Sequence, residues 1–228
     1  MKYQKKYIGL TQIEKLNFDK MGEHNMKDDT KISAIKEAEK CYKKGLEYGA
    51  RGEAEGAIKN WQKAVELDPE FFIAWYNLGN AYYIGLGDFE EAFECWEKAL
   101  KLKPDDIDLL YNLGNAYREL QEFEKAIECY RKVTELEPED HENWNNMANA
   151  FFGMGEEESA IECWKKALEI KPDKIETMYN LAVYYYKVKE FDFSIEWTKK
   201  ALEIKPNSYE LKRLLEAAEE GIERNTNQ

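Results

Sequence analysis

Histidine and cysteine, the residue types that most often carry catalysis or bind metals, are sparse in this chain. Its 228 residues include two histidines, His24 and His141, and neither has a partner at a metal-ligand spacing. Glycines occur singly, so no glycine-rich loop could hold a phosphate. Carboxylates recur beside lysines four residues further on, which is typical of a solvated helix face. We therefore predict no catalytic residue, no metal site and no cofactor; the protein is not expected to be an enzyme.

The four cysteines follow a long regular spacing instead of a ligand pattern. Cys95, Cys129 and Cys163 lie 34 residues apart within ECWEKA, ECYRKV and ECWKKA, and Cys41 stands alone. If the three segments are equivalent helices in a stack, neighbouring thiols lie about 8–10 Å apart. A disulfide needs a Cα separation below about 7 Å. We expect four free thiols.

Asparagine is the polar residue whose spacing has the clearest chemical meaning. Asn77, Asn112, Asn146 and Asn180 are separated by 35, 34 and 34 residues, and each of the first three is followed three residues later by Asn80, Asn115 or Asn149. Asparagine is a poor residue for a helix interior, because its amide competes with the backbone. A primary amide can both donate and accept, so it can hold the main chain of a peptide. The alternative is that these amides bond only to neighbouring helices and to water.

Composition limits the class of protein and of partner. The net charge is −13, with 46 acidic against 33 basic residues, which disfavours nucleic acid as a partner because nucleic-acid binding draws on a basic surface. The longest apolar runs, FFIAWY and LAVYYY, are far shorter than the roughly 20 residues that cross a bilayer. Lysines near the start are not followed by an apolar core, so we predict no export signal and no membrane partner. The expected location is cytoplasmic.

Proline spacing indicates the elements that must position these residues. The five prolines lie 35, 34, 34 and 34 residues apart, and each follows an amphipathic pattern such as AIKNWQKAVEL or AIECWKKALEI. Proline is tolerated at helix borders and breaks helices internally, so these prolines predict five helix ends. A second helical pattern follows each of the first four. The prolines are Pro69, Pro104, Pro138, Pro172 and Pro206.

In this arrangement the chain resembles the tetratricopeptide repeat (TPR) family. Trp75, Leu78, Gly79 and Tyr82 fit its W-x2-L-G-x2-Y pattern, and YNLGNAY occurs twice. The resemblance implies an all-α, right-handed solenoid of stacked antiparallel helix pairs. With proline at position 32, residues 31–208 hold five repeats at about 38–71, 72–106, 107–140, 141–174 and 175–208. The second repeat has one extra residue in its turn, IGLGDFE.

The two ends of the array differ in how clearly the sequence assigns them. Residues 209–224 have an apolar stripe and an acidic outer face, which predicts a C-terminal capping helix that covers the last repeat. The N-terminal flank, residues 1–30, contains MGEHNMKDDT, a predicted loop, and the weakly amphipathic TQIEKLNFDK. Two alternatives are open for this flank, disorder or a short docked helix. Exposed solenoid ends would also offer surfaces for self-association.

One face of the first helix of each repeat is the candidate binding site. Positions 4, 7, 8 and 11 share a face that must be buried. Positions 2, 5, 6, 9, 12 and 13 lie roughly opposite, and in the family this groove face lines the concave groove. The resemblance therefore implies that a peptide contacts the seven asparagines named above together with six aromatic residues, Tyr76, Tyr83, Tyr111, Phe152, Tyr179 and Tyr186.

The function that these features predict is a non-catalytic scaffold for protein–protein interaction, with an extended or helical segment of a partner in the groove. An RNA-binding helical repeat is the alternative, which the acidic charge disfavours. Family members that bind acidic chaperone tails use lysines, an asparagine and an arginine at set groove positions. Here Tyr42 and Leu46 stand at positions 5 and 9 of the first repeat, and Asp108 and Asn112 at positions 2 and 6 of the third. A strongly acidic ligand is therefore disfavoured.

Overall fold

The computed structural model describes residues 26–226, which form eleven α-helices, one π-helical segment and no strand. They divide into two compact units, with the boundary between Leu109 and Leu110. The first unit contains α1 (Met26–Ala50), α2 (Ala54–Leu67), α3 (Phe72–Asn80), the π-helix (Ala81–Leu86) and α4 (Phe89–Leu102). Helix α5 (Ile107–Glu119) begins in this unit. The second unit contains the rest of α5 and helices α6 (Phe123–Leu136), α7 (His141–Met154), α8 (Glu157–Ile170), α9 (Ile175–Lys187), α10 (Phe191–Ile204) and α11 (Tyr209–Thr226).

Proline ends the second helix of every pair by restricting the residue before it. The C-cap residues Asp68, Lys103, Glu137, Lys171 and Lys205 each precede a proline and have ψ between 76° and 92°, outside the helical range. The first helices end differently, in a turn that contains a left-handed residue. Glycine takes this conformation at Gly52, Gly87 and Gly155, and Gln121 and Lys189 take it in the other two turns.

The extra residue of the second repeat appears as a π-helix. Ala81–Leu86 widens the last turns of the first helix before Gly87, at φ 69°, ends it. A single inserted residue is commonly absorbed in this way. Asp88 then caps α4 by accepting a hydrogen bond from the backbone N–H of Glu91.

The first helix begins earlier than the sequence predicts. Helix α1 starts at Met26, so residues 26–30 of the predicted loop are helical. The other residues of the flank, 1–25, lie outside the described part of the chain. At the other end, α11 runs from Tyr209 to Thr226, where the sequence analysis places a capping helix over 209–224.

Each unit has an aromatic core between paired helices. In the first unit, Trp61 and Trp96 are enclosed where α1 packs on α2 and α3 packs on α4. In the second unit, Tyr130 and Trp164 occupy the equivalent places, and Leu211 of α11 is buried against α10. Successive helices pack side by side within each unit, which is the all-α solenoid arrangement.

Glycine at position 8 lets the two helices of a pair approach closely. A Cβ added to Gly79 would lie 2.5 Å from the Trp96 ring, and one added to Gly114 would lie 2.6 Å from the Tyr130 ring. Gly45 meets Trp61 in the same way. Any side chain at these positions would therefore push the ring away.

Replacing Gly114 by leucine tests this packing. At an open helix site the change would stabilise the helix by up to about 1 kcal/mol. Here overpacking against Tyr130 should lower the free energy of unfolding by about 1–3 kcal/mol. Thermal melts show whether the free energy of unfolding falls or rises, and hydrogen exchange should show lost protection centred on residues 107–140. Unchanged protection there would contradict the close approach.

The cysteines give a second prediction. All four are buried and none forms a disulfide. Burial raises the pKa of Cys95 and Cys163 to about 12 and that of Cys129 to about 11, so little thiolate exists at neutral pH. Thiol titration at pH 8 without reductant should find four thiols in denatured protein, and Cys95, Cys129 and Cys163 should react slowly in native protein. Two or fewer thiols after denaturation would contradict this.

Candidate functional site

The asparagines at position 9 bond to the aromatic residue at position 24 of the same repeat. Asn80 Oδ1 accepts a hydrogen bond from Trp96 Nε1 at 3.1 Å, and Asn149 Oδ1 accepts one from Trp164 Nε1 at 3.0 Å. In the third repeat, Tyr130 Oη donates to Asn115 Oδ1 at 2.8 Å. Each amide thus supplies the acceptor that a buried indole or phenol needs.

In repeats without asparagine at position 9, the side-chain donor at position 24 bonds to a backbone oxygen. In the first repeat, position 9 is Leu46, whose side chain cannot accept a hydrogen bond. Trp61 Nε1 at position 24 donates instead to the backbone oxygen of Tyr42 at 3.2 Å. Where Val183 stands at position 9, position 24 is Thr198, whose hydroxyl donates to the backbone oxygen of Ser194 at 2.7 Å. The sequence analysis missed this relation, although asparagine at 9 accompanies tryptophan or tyrosine at 24 in three repeats.

The position 6 asparagines of the second, fourth and fifth repeats bond to the preceding repeat. In the first unit, Asn77 Nδ2 donates to Tyr42 Oη at 2.9 Å. In the second, Asn146 Nδ2 donates to Tyr111 Oη at 2.8 Å and to Asn115 Oδ1 at 3.3 Å.

The junction between the fourth and fifth repeats uses amides and one hydroxyl. Asn180 Nδ2 donates to Asn145 Oδ1 at 3.2 Å and to Asn149 Oδ1 at 3.0 Å. Thr177 Oγ1 donates to Asn145 Oδ1 as well, at 3.0 Å. Positions 5, 6 and 9 therefore form a row with two sets of side-chain bonds, one between the first helices α5 and α7 and one between α7 and α9.

Several amides in this row are only half used. Within the described chain, Oδ1 of Asn146 and of Asn180 accepts no hydrogen bond, and Nδ2 of Asn145 and of Asn149 donates none. Asn145 is buried, at 4% exposure, whereas Asn146, Asn149 and Asn180 are half-buried and their unused atoms are not enclosed. The partner-bound half fixes each amide while the other half keeps its hydrogen-bonding capacity.

The second repeat differs from the open groove face that the sequence analysis predicts. Tyr76 and Asn77 are 3% and 0% exposed, and Asn80 is buried as well. Asn77 Oδ1 is enclosed without a hydrogen-bond donor. The physical reason is that α3 contacts α2 and α4 and also meets α1, where Asn77 bonds to Tyr42, so its buried surface is wider than one helix face.

Asn115 in the third repeat is buried as well, at 7% exposure. The other predicted residues are more open. Tyr83 is half-buried against the rings of Phe89 and Trp96, and Phe152 is half-buried with Lys187 Nζ 4.7 Å from its ring centroid. Tyr179 and Tyr186 on α9 are 37% and 36% exposed. Two further candidates, Tyr111 and Asn112, are half-buried. Peptide contact by the thirteen residues stays a prediction.

The phenols of Tyr111 in this row and of Tyr130 beside it remain protonated. Burial raises the pKa of Tyr111, the bond to Asn115 opposes the shift, and the carboxylate of Glu142 adds to it. Burial also raises the pKa of Tyr130, which the Arg118 guanidinium partly offsets.

Across residues 26–226, no group of three or more histidine, cysteine or carboxylate side chains could hold a metal ion.

A double-mutant cycle tests the bond between positions 9 and 24. Asn115→Ala removes the acceptor of a buried phenol, which should cost about 1–3 kcal/mol of stability, reduced by the better helix propensity of alanine. Tyr130→Phe should cost about 1 kcal/mol. If the bond exists, the double variant should lose about 0.5–1.5 kcal/mol less than the two single variants together. Strict additivity in denaturant unfolding would contradict it.

Comparison with known proteins places these repeats in a family. Models of the TPR repeat match residues 45–85 and 83–118, and tetratricopeptide repeat models match 107–140, 142–174 and 175–208. An uncharacterized protein of Methanocaldococcus jannaschii is 49% identical over 43 residues, 19% of this chain. The chain matches about half, 50%, of that relative's length.

Solved structures give the same result. The crystal structure of YrrB, described as a TPR protein with an unusual peptide-binding site, is 26% identical with a TM-score of 0.69, over 83% of this chain and 97% of YrrB. MamA is 26% identical with a TM-score of 0.67, over 71% of this chain and 94% of that one. A tetratricopeptide repeat protein from Parabacteroides merdae has a TM-score of 0.74 at 19% identity, over 84% and 76% of the two chains. With family matches from residue 45 to residue 208, the chain belongs to the tetratricopeptide repeat family.

Proposed function

We propose that this protein is a non-catalytic scaffold that holds an extended segment of a partner protein on the groove face of its second unit. The TPR fold supports a role in protein–protein interaction. The observation that carries the finer proposal is the half-used amide row on α7 and α9. The peptide-binding site ascribed to YrrB adds support by similarity.

The amide row favours an extended partner over a helical one. An α-helix uses its own N–H and C=O groups internally, so it has few main-chain groups left for side-chain amides. An extended chain has both kinds free. The open groups on the row, Oδ1 of Asn146 and Asn180 and Nδ2 of Asn149, offer acceptors for its N–H groups and a donor for its C=O groups.

Pre-organisation should make these contacts effective. Asn180 Nδ2 spends both of its hydrogens on Asn145 and Asn149, which fixes the direction of its oxygen. A ligand therefore meets an amide whose rotamer is already ordered, so less entropy is lost on binding. The same bonds explain why asparagine is kept despite its poor helix propensity.

Location and charge belong to the same proposal. Four unpaired buried thiols favour a reducing compartment such as the cytoplasm. No helix among the described residues is long and apolar enough to cross a bilayer. The net charge of −13 favours a partner segment that is not strongly acidic.

The test uses dodecapeptides selected from a random phage-displayed library against the full chain. Asn180→Ala should weaken the selected peptides about 2–12-fold, the equivalent of one neutral hydrogen bond. N-methylation of single peptide residues should weaken binding at the residues whose N–H groups meet the row. Calorimetry gives the affinities, and thermal melts give the stability of each variant.

Asn60→Ala is the matched control. Asn60 is also a partly buried helical asparagine, but it lies on α2 in the first unit and bonds to the backbone oxygen of Gly56 at 2.8 Å. It should leave the affinities unchanged. If Asn180→Ala binds every selected peptide as well as the Asn60→Ala control does, the amide row does not hold the ligand.

A further inference from the structure

Where α9 meets the capping helix α11, apolar residues stand at the positions that asparagines occupy between the preceding first helices. In the preceding junction, the position 6 residue Asn180 contacts positions 5 and 9 of the repeat before it, Asn145 and Asn149. With Tyr209 as the first position of the capping segment, position 6 of α11 is Leu214. The corresponding positions 5 and 9 on α9 are Tyr179 and Val183. Helices α9 and α11 are in contact.

This apolar junction is incompletely covered. Tyr179 remains 37% exposed and Tyr186, two helical turns further along the same face of α9, remains 36% exposed. Val183 and Leu214 are half-buried. Tyr179 makes no hydrogen bond, ion pair or ring contact with the described residues. A phenol that holds nothing within the fold is free to contact a partner.

We infer that Tyr179, Val183, Tyr186 and Leu214 form an anchor site for one bulky apolar side chain of the bound segment. This anchor site rests on the proposed function, because it continues the amide row along α9. Asn180 follows Tyr179 directly in sequence, and its open oxygen lies at the end of the row. An extended chain whose main chain meets Asn146 and Asn180 would bring its next side chains to α9 and α11.

The chemistry of the site selects the kind of side chain. Aromatic residues offer large contact area at little cost in conformational entropy, and burial of apolar surface is the main source of binding free energy at such contacts. Two cations of α9 and α11 lie over aromatic rings within the fold: Lys187 Nζ is 4.7 Å from the Phe152 centroid, and the Arg213 guanidinium is 5.7 Å from that of Tyr209. The expected partner residue is therefore Phe, Trp, Leu, Ile or Met, flanked by main chain that bonds to the amides.

The selected dodecapeptides test the anchor site in full-length protein. They should share one bulky apolar residue at a fixed place, and replacing it by alanine should weaken binding by at least about tenfold. Tyr179→Ala should weaken the parent peptides about 3–10-fold and should reduce the effect of that peptide replacement. A benzophenone at the anchor position should crosslink to α9 or α11, as mapped by mass spectrometry.

Phe193→Ala is the control, because Phe193 is a 48% exposed aromatic residue on the second helix α10 and its ring contacts Tyr185, which stands at position 11 of α9 and not at a groove position. It should change affinity less than about twofold. The anchor site is overturned if the peptides have no shared apolar residue, if crosslinks map to other helices, or if Phe193→Ala weakens binding as much as Tyr179→Ala does. Peptides sensitive to Tyr179→Ala but not to Asn180→Ala would keep the anchor site and overturn the main-chain contacts. A selection that enriches no peptide would overturn both.

Discussion

In the first three repeats, the close approach of a first-helix glycine to a second-helix ring is the constraint on which the rest of the repeat depends. Gly79 and Gly114 leave room for Trp96 and Tyr130, and a single added carbon would collide with either ring. In these two repeats the polar atom of the ring reaches the asparagine at position 9, whereas Trp61 of the first repeat, also placed against a glycine, reaches the backbone oxygen of Tyr42. A buried ring donor needs an acceptor from one of these sources, because a buried donor without one is costly. The glycine, the ring and the asparagine are therefore one unit of structure.

An asparagine on the groove face can stabilise the fold and still bind a ligand. An amide has a carbonyl oxygen and an NH2 group, and the fold uses only one of these in Asn146, Asn149 and Asn180. The used half orients the other. Structural bonding and ligand binding, which look like competing explanations of the asparagines, are thus compatible within a single side chain.

The same packing tolerates an inserted residue when the helix can change its pitch. The π-helix at Ala81–Leu86 absorbs the extra residue of the second repeat after Asn80, so the bond from Trp96 to Asn80 is preserved. Gly85 lies against Ala54 at the start of α2, where an added Cβ would come within 2.8 Å. A glycine within the insertion therefore keeps the contact between the π-helix and the helix beside it.

The sequence by itself determined the period, the helix ends and the family, because proline, glycine and apolar spacing act on neighbouring residues. It predicted the turn insertion in the second repeat but placed the start of α1 too late, since Met26–Thr30 has no strong local signal for a helix. The partners of the asparagines were decided only by tertiary structure. They lie 15 to 35 residues away, as with Trp164 for Asn149 and Tyr111 for Asn146, and which atom an amide meets depends on how neighbouring helices rotate. Burial of Tyr76 and Asn77 has the same origin, because packing on two sides encloses more of a helix than its own periodicity can indicate.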